Sequence, residues 1–279
     1  GSLGPISYFW DMLEMLSLEF MRNAFAAGTI IAIICGIMGV FVIARNMSFL
    51  THTLSEIGFS GAAFGVFAGW APLNGMLLFT VVSSVIVGQL SARSERREAA
   101  TSAISALFIG LGILFLSLAN KNASYATSIL FGSVIGISAS DVRQMLWLSI
   151  LVLIVVFVIY RFLKFDSFDH TGARVKGLWT NTLSITFLVL VALSVSVAAQ
   201  IVGSLLIFIL LTLPAATAKY FAHTVSGMMI LAIGLALVGV WAGLTLSYVT
   251  NYPVSFFIAA IEAIFYFIAL GWQRLQTAE

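Results

Sequence analysis

Between Thr180 and Ala218 the chain runs about forty residues almost without charge, enough for two passes through a hydrocarbon layer about 30 Å thick. Such a run points to helices in a bilayer, where the backbone N–H and C=O groups must find each other because no water is present to take them. The whole chain has the same character, with 61% hydrophobic and 9% charged residues and a mean hydropathy of +1.10. Ordinary soluble domains carry about 25% charged residues. A length of 279 residues leaves room for eight or nine spans of about 20 residues with short loops, and none for a soluble domain. The expected fold is therefore all-α, a polytopic helical membrane protein with about eight or nine transmembrane helices.

Taken in order, residues 1–23 read as an extracellular or interfacial leader. Its stretch Asp11 to Arg22 alternates charged and apolar residues at helical spacing, which suits an amphipathic helix at the membrane surface. A single transmembrane domain then fills 24–274. Spans are expected at Ala24 to Ala44, Met47 to Gly69, Leu73 to Leu90, Thr101 to Leu118, Met145 to Phe162, Ser226 to Val249 and Pro253 to Trp272, with two more between Thr180 and Ala218 that bend near Gln200. Tyr125 to Ser138, with Gly132 and Gly136 inside it, is short for a crossing and reads as a re-entrant or interfacial helix. With the N-terminus outside, Arg45, Arg93, Arg96, Arg97, Arg161, Lys164, Arg174, Lys176, Lys219 and Arg274 fall on the inner side, and only Arg22, Lys121 and Arg143 on the outer. This bias puts the polar loop of about 164–178 in the cytoplasm.

The second span carries chemistry that a lipid-crossing helix normally lacks. His52 and Glu56 stand four residues apart, so both side chains share one helix face and could hold one cation between an imidazole nitrogen and a carboxylate oxygen. A carboxylate near the bilayer centre costs about 2.5–3.5 kcal/mol, so it faces a cavity, a partner or a substrate path. His52, Glu56 and Ser60 form one polar stripe, while Gly61, Gly65 and Gly69 fall roughly opposite and permit close helix packing. The residues leave two readings open, a lining of a metal path or a polar pair that hydrogen-bonds a neighbouring helix. Glu262, in the last span, could be a second ligand or a structural partner of another helix. Pro214 lacks an N–H and frees a carbonyl one turn earlier, which kinks a helix or lines a cavity.

Several functions lack their usual residues. No G-x-x-x-x-G-K-[ST] loop is present to cradle nucleotide phosphates, and no H-E-x-x-H helix to hold a catalytic zinc. The histidines His52, His170 and His223 lie far apart, so the chain reads as a non-enzyme. A net charge of +2 without basic runs or stacking aromatics sets nucleic acid aside as a partner. Cys35 is the sole cysteine and excludes an internal disulfide.

Three stretches carry a resemblance. Thr51 to Glu56, running on to Gly61, is similar to a second-span motif of an acidic residue, a histidine four later and then a glycine. Phe168-Asp169-His170-Thr171-Gly172-Ala173 through Gly177-Leu178 is similar to a cytoplasmic coupling element in which Phe-Asp leads through Ala to Gly. Val202 to Leu206, continuing to Leu213-Pro214-Ala215-Ala216-Thr217-Ala218, is similar to a G-x-L-L run ending in P-A-A-T-A. Together they resemble the permease subunits of ATP-binding-cassette importers for zinc and manganese. His52 stands at the acidic position and Glu56 at the histidine position, so the ligand types are kept but exchanged.

The resemblance implies a type II ABC importer permease in a prokaryotic cell membrane. It implies a homodimer with a second permease copy, two ATP-binding-cassette subunits docked on Phe168, Asp169, Ala173 and Gly177, and an extracellular metal-binding protein. His52 and Glu56 would meet the cargo, Zn²⁺ or Mn²⁺, with no permanently bound cofactor. A permease for a larger chelate such as a siderophore, and an ATPase-independent cation channel or membrane scaffold, are the alternatives the sequence leaves.

Overall fold

The computed structural model describes residues 10, 13–90, 97–120, 137–168, 177–203 and 207–278. Among these residues the main elements are nine helices: α1 (Glu19–Ala44), α2 (Ser48–Ala68), α3 (Pro72–Leu90), α4 (Arg97–Leu118), α5 (Ala139–Phe168), α6 (Gly177–Val202), α7 (Ile207–Lys219), α8 (Val225–Thr250) and α9 (Val254–Thr277). By length and composition alone α1, α5, α6, α8 and α9 can each cross a membrane. Among the residues whose side chains are described, Pro72–Ile86 of α3, Ser102–Leu118 of α4 and Ile207–Lys219 of α7 are further apolar helical stretches. The Tyr125 to Ser138 segment and the Asp169 to Lys176 part of the polar loop fall almost wholly outside the described residues, as do Arg93, Glu95 and Arg96.

α1 sits at the centre of the bundle, with 67% of its apolar window buried, whereas α5 buries only 22% and turns Trp147, Phe157 and Val158 outward. Small residues let the neighbours of α1 come close. A Cβ on Gly36 would stand 2.7 Å from the backbone nitrogen of Ile233 in α8, and one on Gly39 would stand 2.9 Å from the Leu211 carbonyl of α7. In lipid, where apolar surface gives helices no reason to leave their surroundings, such close backbone contact is the main source of association. Ahead of α1, residues 13–17 are helical, with Met15 buried and Leu13 and Leu16 exposed.

α2, α3 and α4 form a second packed group. Gly61 and Gly75 face each other so closely that a Cβ on either would strike the other's carbonyl oxygen, and Phe64 stacks on Phe79 and meets Phe115 edge-on. α2 ends at Gly69, which adopts a left-handed φ of 79° while Trp70 N–H donates to the Gly65 carbonyl. Gly69 therefore terminates the helix. A Cβ there would meet nothing within 4 Å, so the packing role expected for it does not hold. Pro72 then opens α3, where its missing N–H costs nothing.

Two element boundaries also differ from expectation. α5 is closed at its start by Ser138 and Asp141, each side chain accepting the other's backbone N–H at 3.1 Å. It runs on to Phe168, well past the expected end at Phe162, so Lys164 lies on the helix and not in the loop. The break between α6 and α7 falls at Gly203, with φ of 85°, and not at Gln200. Glutamine is an adequate helix former, whereas glycine takes the left-handed conformation that ends a helix without strain. The described part of α7, Ile207–Lys219, is 13 residues, about 20 Å along its axis. It continues helically through Pro214.

Candidate functional site

The α1–α2 connection is a tight turn at residues 45–47, in which Asn46 takes a φ of 55° and Met47 N–H donates to the Val42 carbonyl. Arg45 at this turn donates from Nη2 to Ser184 Oγ at 2.7 Å and lies over the Phe187 ring at 5.3 Å, which ties the start of α2 to α6. At 1.5 Å per residue, His52 and Glu56 then lie about 6 and 12 Å along α2 from Ser48.

His52 Nε2 and Glu56 Oε1 are 3.0 Å apart, with the Glu56 side chain 10% exposed and that of His52 37% exposed. The helix spacing produces this pair directly. What the helix does not supply is a partner for the remaining polar atoms. His52 Nδ1, Glu56 Oε2 and, one turn on, Ser60 Oγ are all buried without a hydrogen-bond partner among the described residues. When Nε2–H donates to the carboxylate, Nδ1 presents a lone pair, so the stripe offers one nitrogen and two oxygens, all capable of accepting a cation. Three successive turns of one helix left unpaired in this way are costly unless something else visits them.

The neighbours explain the shape of the site. Phe208, at the start of α7, meets the His52 ring edge-on at 5.0 Å between centroids. On the other side, Gly112 lets α4 pass against Phe59 and Ser60, and Ser105 Oγ donates to Thr53 Oγ1 at 3.4 Å. Gly61 and Gly65 bring α3 onto the face away from the stripe.

Phe208 carried no signal in the sequence, being one phenylalanine among 23 and 156 residues from His52. Among the described residues no group of three or more His, Cys, Asp or Glu side chains gathers, and His52 and Glu56 stand as a pair. Glu262 is not brought to that pair: it lies fully buried in α9 against Gly239 of α8. Phe168 and Gly177 stand at the facing ends of α5 and α6, while Asp169 and Ala173 lie outside the described residues. His223 is exposed, and His170 lies outside the described residues.

The sequence profile of the ABC 3 transport family matches residues 17–273. The manganese import system permease protein ScaB of Streptococcus parasanguinis is 28% identical, over 95% of this chain and 94% of that one. The "probable iron transport system membrane protein" of Haemophilus influenzae is also 28% identical, over 95% of this chain and 98% of its own length. Among solved structures, PsaBC from Streptococcus pneumoniae in complex with a Fab aligns with a TM-score of 0.81 at 25% identity, covering 94% of this chain and 95% of the other.

Proposed function

The chain belongs to the ABC 3 transport family, and from that premise we propose that it is the membrane-spanning permease subunit of an ATP-binding-cassette importer carrying a divalent transition metal, Mn²⁺ or Zn²⁺, into the cell. ATP is hydrolysed in a separate subunit. The observation that carries the reading of the site is the polar stripe of α2, where His52, Glu56 and Ser60 keep buried lone pairs on one face without a partner among the described residues. Manganese import by the ScaB relative supports the class of cargo, and the iron transport relative keeps the reading at the level of a divalent metal.

In this reading two permease copies meet with their α2 helices across a shared axis. The path then offers two imidazoles and two carboxylates, a nitrogen and oxygen donor set suited to Mn²⁺ or Zn²⁺. The binding forms are neutral histidine and ionised glutamate, so the ion displaces the His52–Glu56 hydrogen bond as it arrives. Release inward needs weak coordination. ATP-driven closure of the paired ATPases, transmitted through Phe168, Asp169, Ala173 and Gly177, tilts the helices and draws the ligands apart, a change between two packed states and not the opening of a channel. An extracellular binding protein delivers the ion. A siderophore path would need a wide cavity and no ligand pair, so the 3.0 Å pair favours a bare ion.

Glu56→Gln tests the reading, because it keeps shape and hydrogen bonding but removes the ligand charge. Metal uptake by cells carrying the variant should collapse although the protein inserts and still co-purifies with its ATPase. Interhelical hydrogen bonds in membranes average about 0.6 kcal/mol, so near-normal uptake would mean that the pair only joins helices. Metal analysis of the accumulated cargo then separates Mn²⁺ from Zn²⁺.

A further inference from the structure

A cavity of about 510 Å³ opens where the C-terminal ends of α1, α7 and α9 come together, and none of its walls belongs to α2. Lys219, Tyr220, His223, Tyr266 and Gln273 give it a polar lining, with Ile43 and Ala216 supplying the apolar remainder. The Tyr220 and Tyr266 rings pack at 6.1 Å between centroids, and Arg274, exposed in the last turn of α9, follows the lining residue Gln273. Among the described residues no acidic side chain lines the cavity. Its fixed charge is positive, which suits an anion and disfavours a metal cation.

The depth of the cavity narrows the choice of anion. Arg45, Lys219 and Arg274 gather at this end of the bundle, which makes it the cytoplasmic end. Beside the cavity, Phe221 and Trp272, the chain neighbours of Tyr220 and Gln273, pack with their rings tilted by 37° and centroids 5.0 Å apart while remaining 42% and 43% exposed. Exposed aromatic rings of this kind settle at the level of lipid headgroups. An anion site at that depth stands among lipid phosphates.

We propose that this cleft binds the phosphate of an anionic phospholipid from the cytoplasmic leaflet. Lys219 and Arg274 supply the charge. The Tyr220 and Tyr266 hydroxyls and the Gln273 amide donate hydrogen bonds to the phosphate oxygens, and the Phe221–Trp272 pair seats the glycerol and the first carbons of the acyl chains. An occupant in this position bridges the end of α7 to the end of α9. The inference is independent of which ion the protein carries.

The test is to reconstitute the full chain in phosphatidylcholine vesicles and compare spin-labelled phosphatidylglycerol with spin-labelled phosphatidylcholine for the fraction immobilised by the protein. Phosphatidylglycerol should be preferred, by about fivefold for each basic side chain that reaches it. Lys219→Gln and Arg274→Gln should each lower the preference about fivefold, and Lys219→Arg should keep it, which separates lost charge from lost folding. Lys164→Gln removes an exposed charge on α5 outside the cleft and should change nothing. An equal loss with Lys164→Gln would reduce the effect to general surface charge and overturn the site. So would retention of full preference by Lys219→Gln. Displacement of the labelled lipid by inorganic phosphate would make the ligand a soluble anion, and its expulsion by the ATPase subunit would make the cleft a protein seat. Either result overturns the lipid assignment.

Discussion

The carboxyl of Glu262 fills the space that a side chain on Gly239 would need, so that a Cβ built on that glycine would collide with Oε1. Glu262 is fully buried, and neither of its oxygens has a hydrogen-bond partner among the described residues. The contact joins α8 to α9 through shape, and shape is what substitution should test.

Gly239→Ala should therefore lower stability by about 1–3 kcal/mol through overpacking. Gly234→Ala, on the same helix where a Cβ meets nothing within 4 Å, should instead raise it by about 0.5–1 kcal/mol. Unfolding in mixed micelles by denaturant compares the two. Glu262→Gln retains the outline of the side chain and should leave both stability and metal uptake near the parent. A loss of uptake as deep as that of Glu56→Gln would instead make Glu262 a second ligand.

Exchange of the ligand pair gives a stricter test of the path. His52→Asp combined with Glu56→His restores the order of the family motif with the same donor types on the same face. The double variant should transport, while each single variant fails, and its preference between Zn²⁺ and Mn²⁺ should shift. Uptake by whole cells with the two metals in competition measures this. Failure of the double variant with normal insertion would show that the positions are not interchangeable ligands.

Coupling to ATP hydrolysis is expected to pass through the segment between Phe168 and Gly177. Gly177 begins α6, where a side chain would hinder close approach of the ATPase. Gly177→Val should leave insertion intact and ATP hydrolysis active but lower uptake per ATP. Unchanged uptake in proteoliposomes would remove this segment from the mechanism.

Topology can be read by labelling, because Cys35 is the sole cysteine and is fully buried. In a Cys35→Ala background, single cysteines at Arg96 and Lys176 should react only from the cytoplasm and one at Lys121 only from outside. Outside labelling at Lys176 would reverse the arrangement of the bundle.

The sequence by itself determined the local quantities. Long uncharged runs fixed the helical, multi-pass class, since a bilayer admits few other backbones, and the four-residue spacing of His52 and Glu56 fixed their common face before any neighbour was known. The three motif stretches pointed to the family. Which helices touch was decided only in three dimensions. Lipid is as apolar as leucine, so hydrophobicity cannot sort one membrane helix against another; shape does, through contacts such as Gly61 with Gly75 and Gly36 with Ile233. For the same reason the placement of Phe208 beside His52 and the burial of Glu262 on Gly239 belong to the tertiary structure. Each joins residues whose separation in sequence no helical period connects.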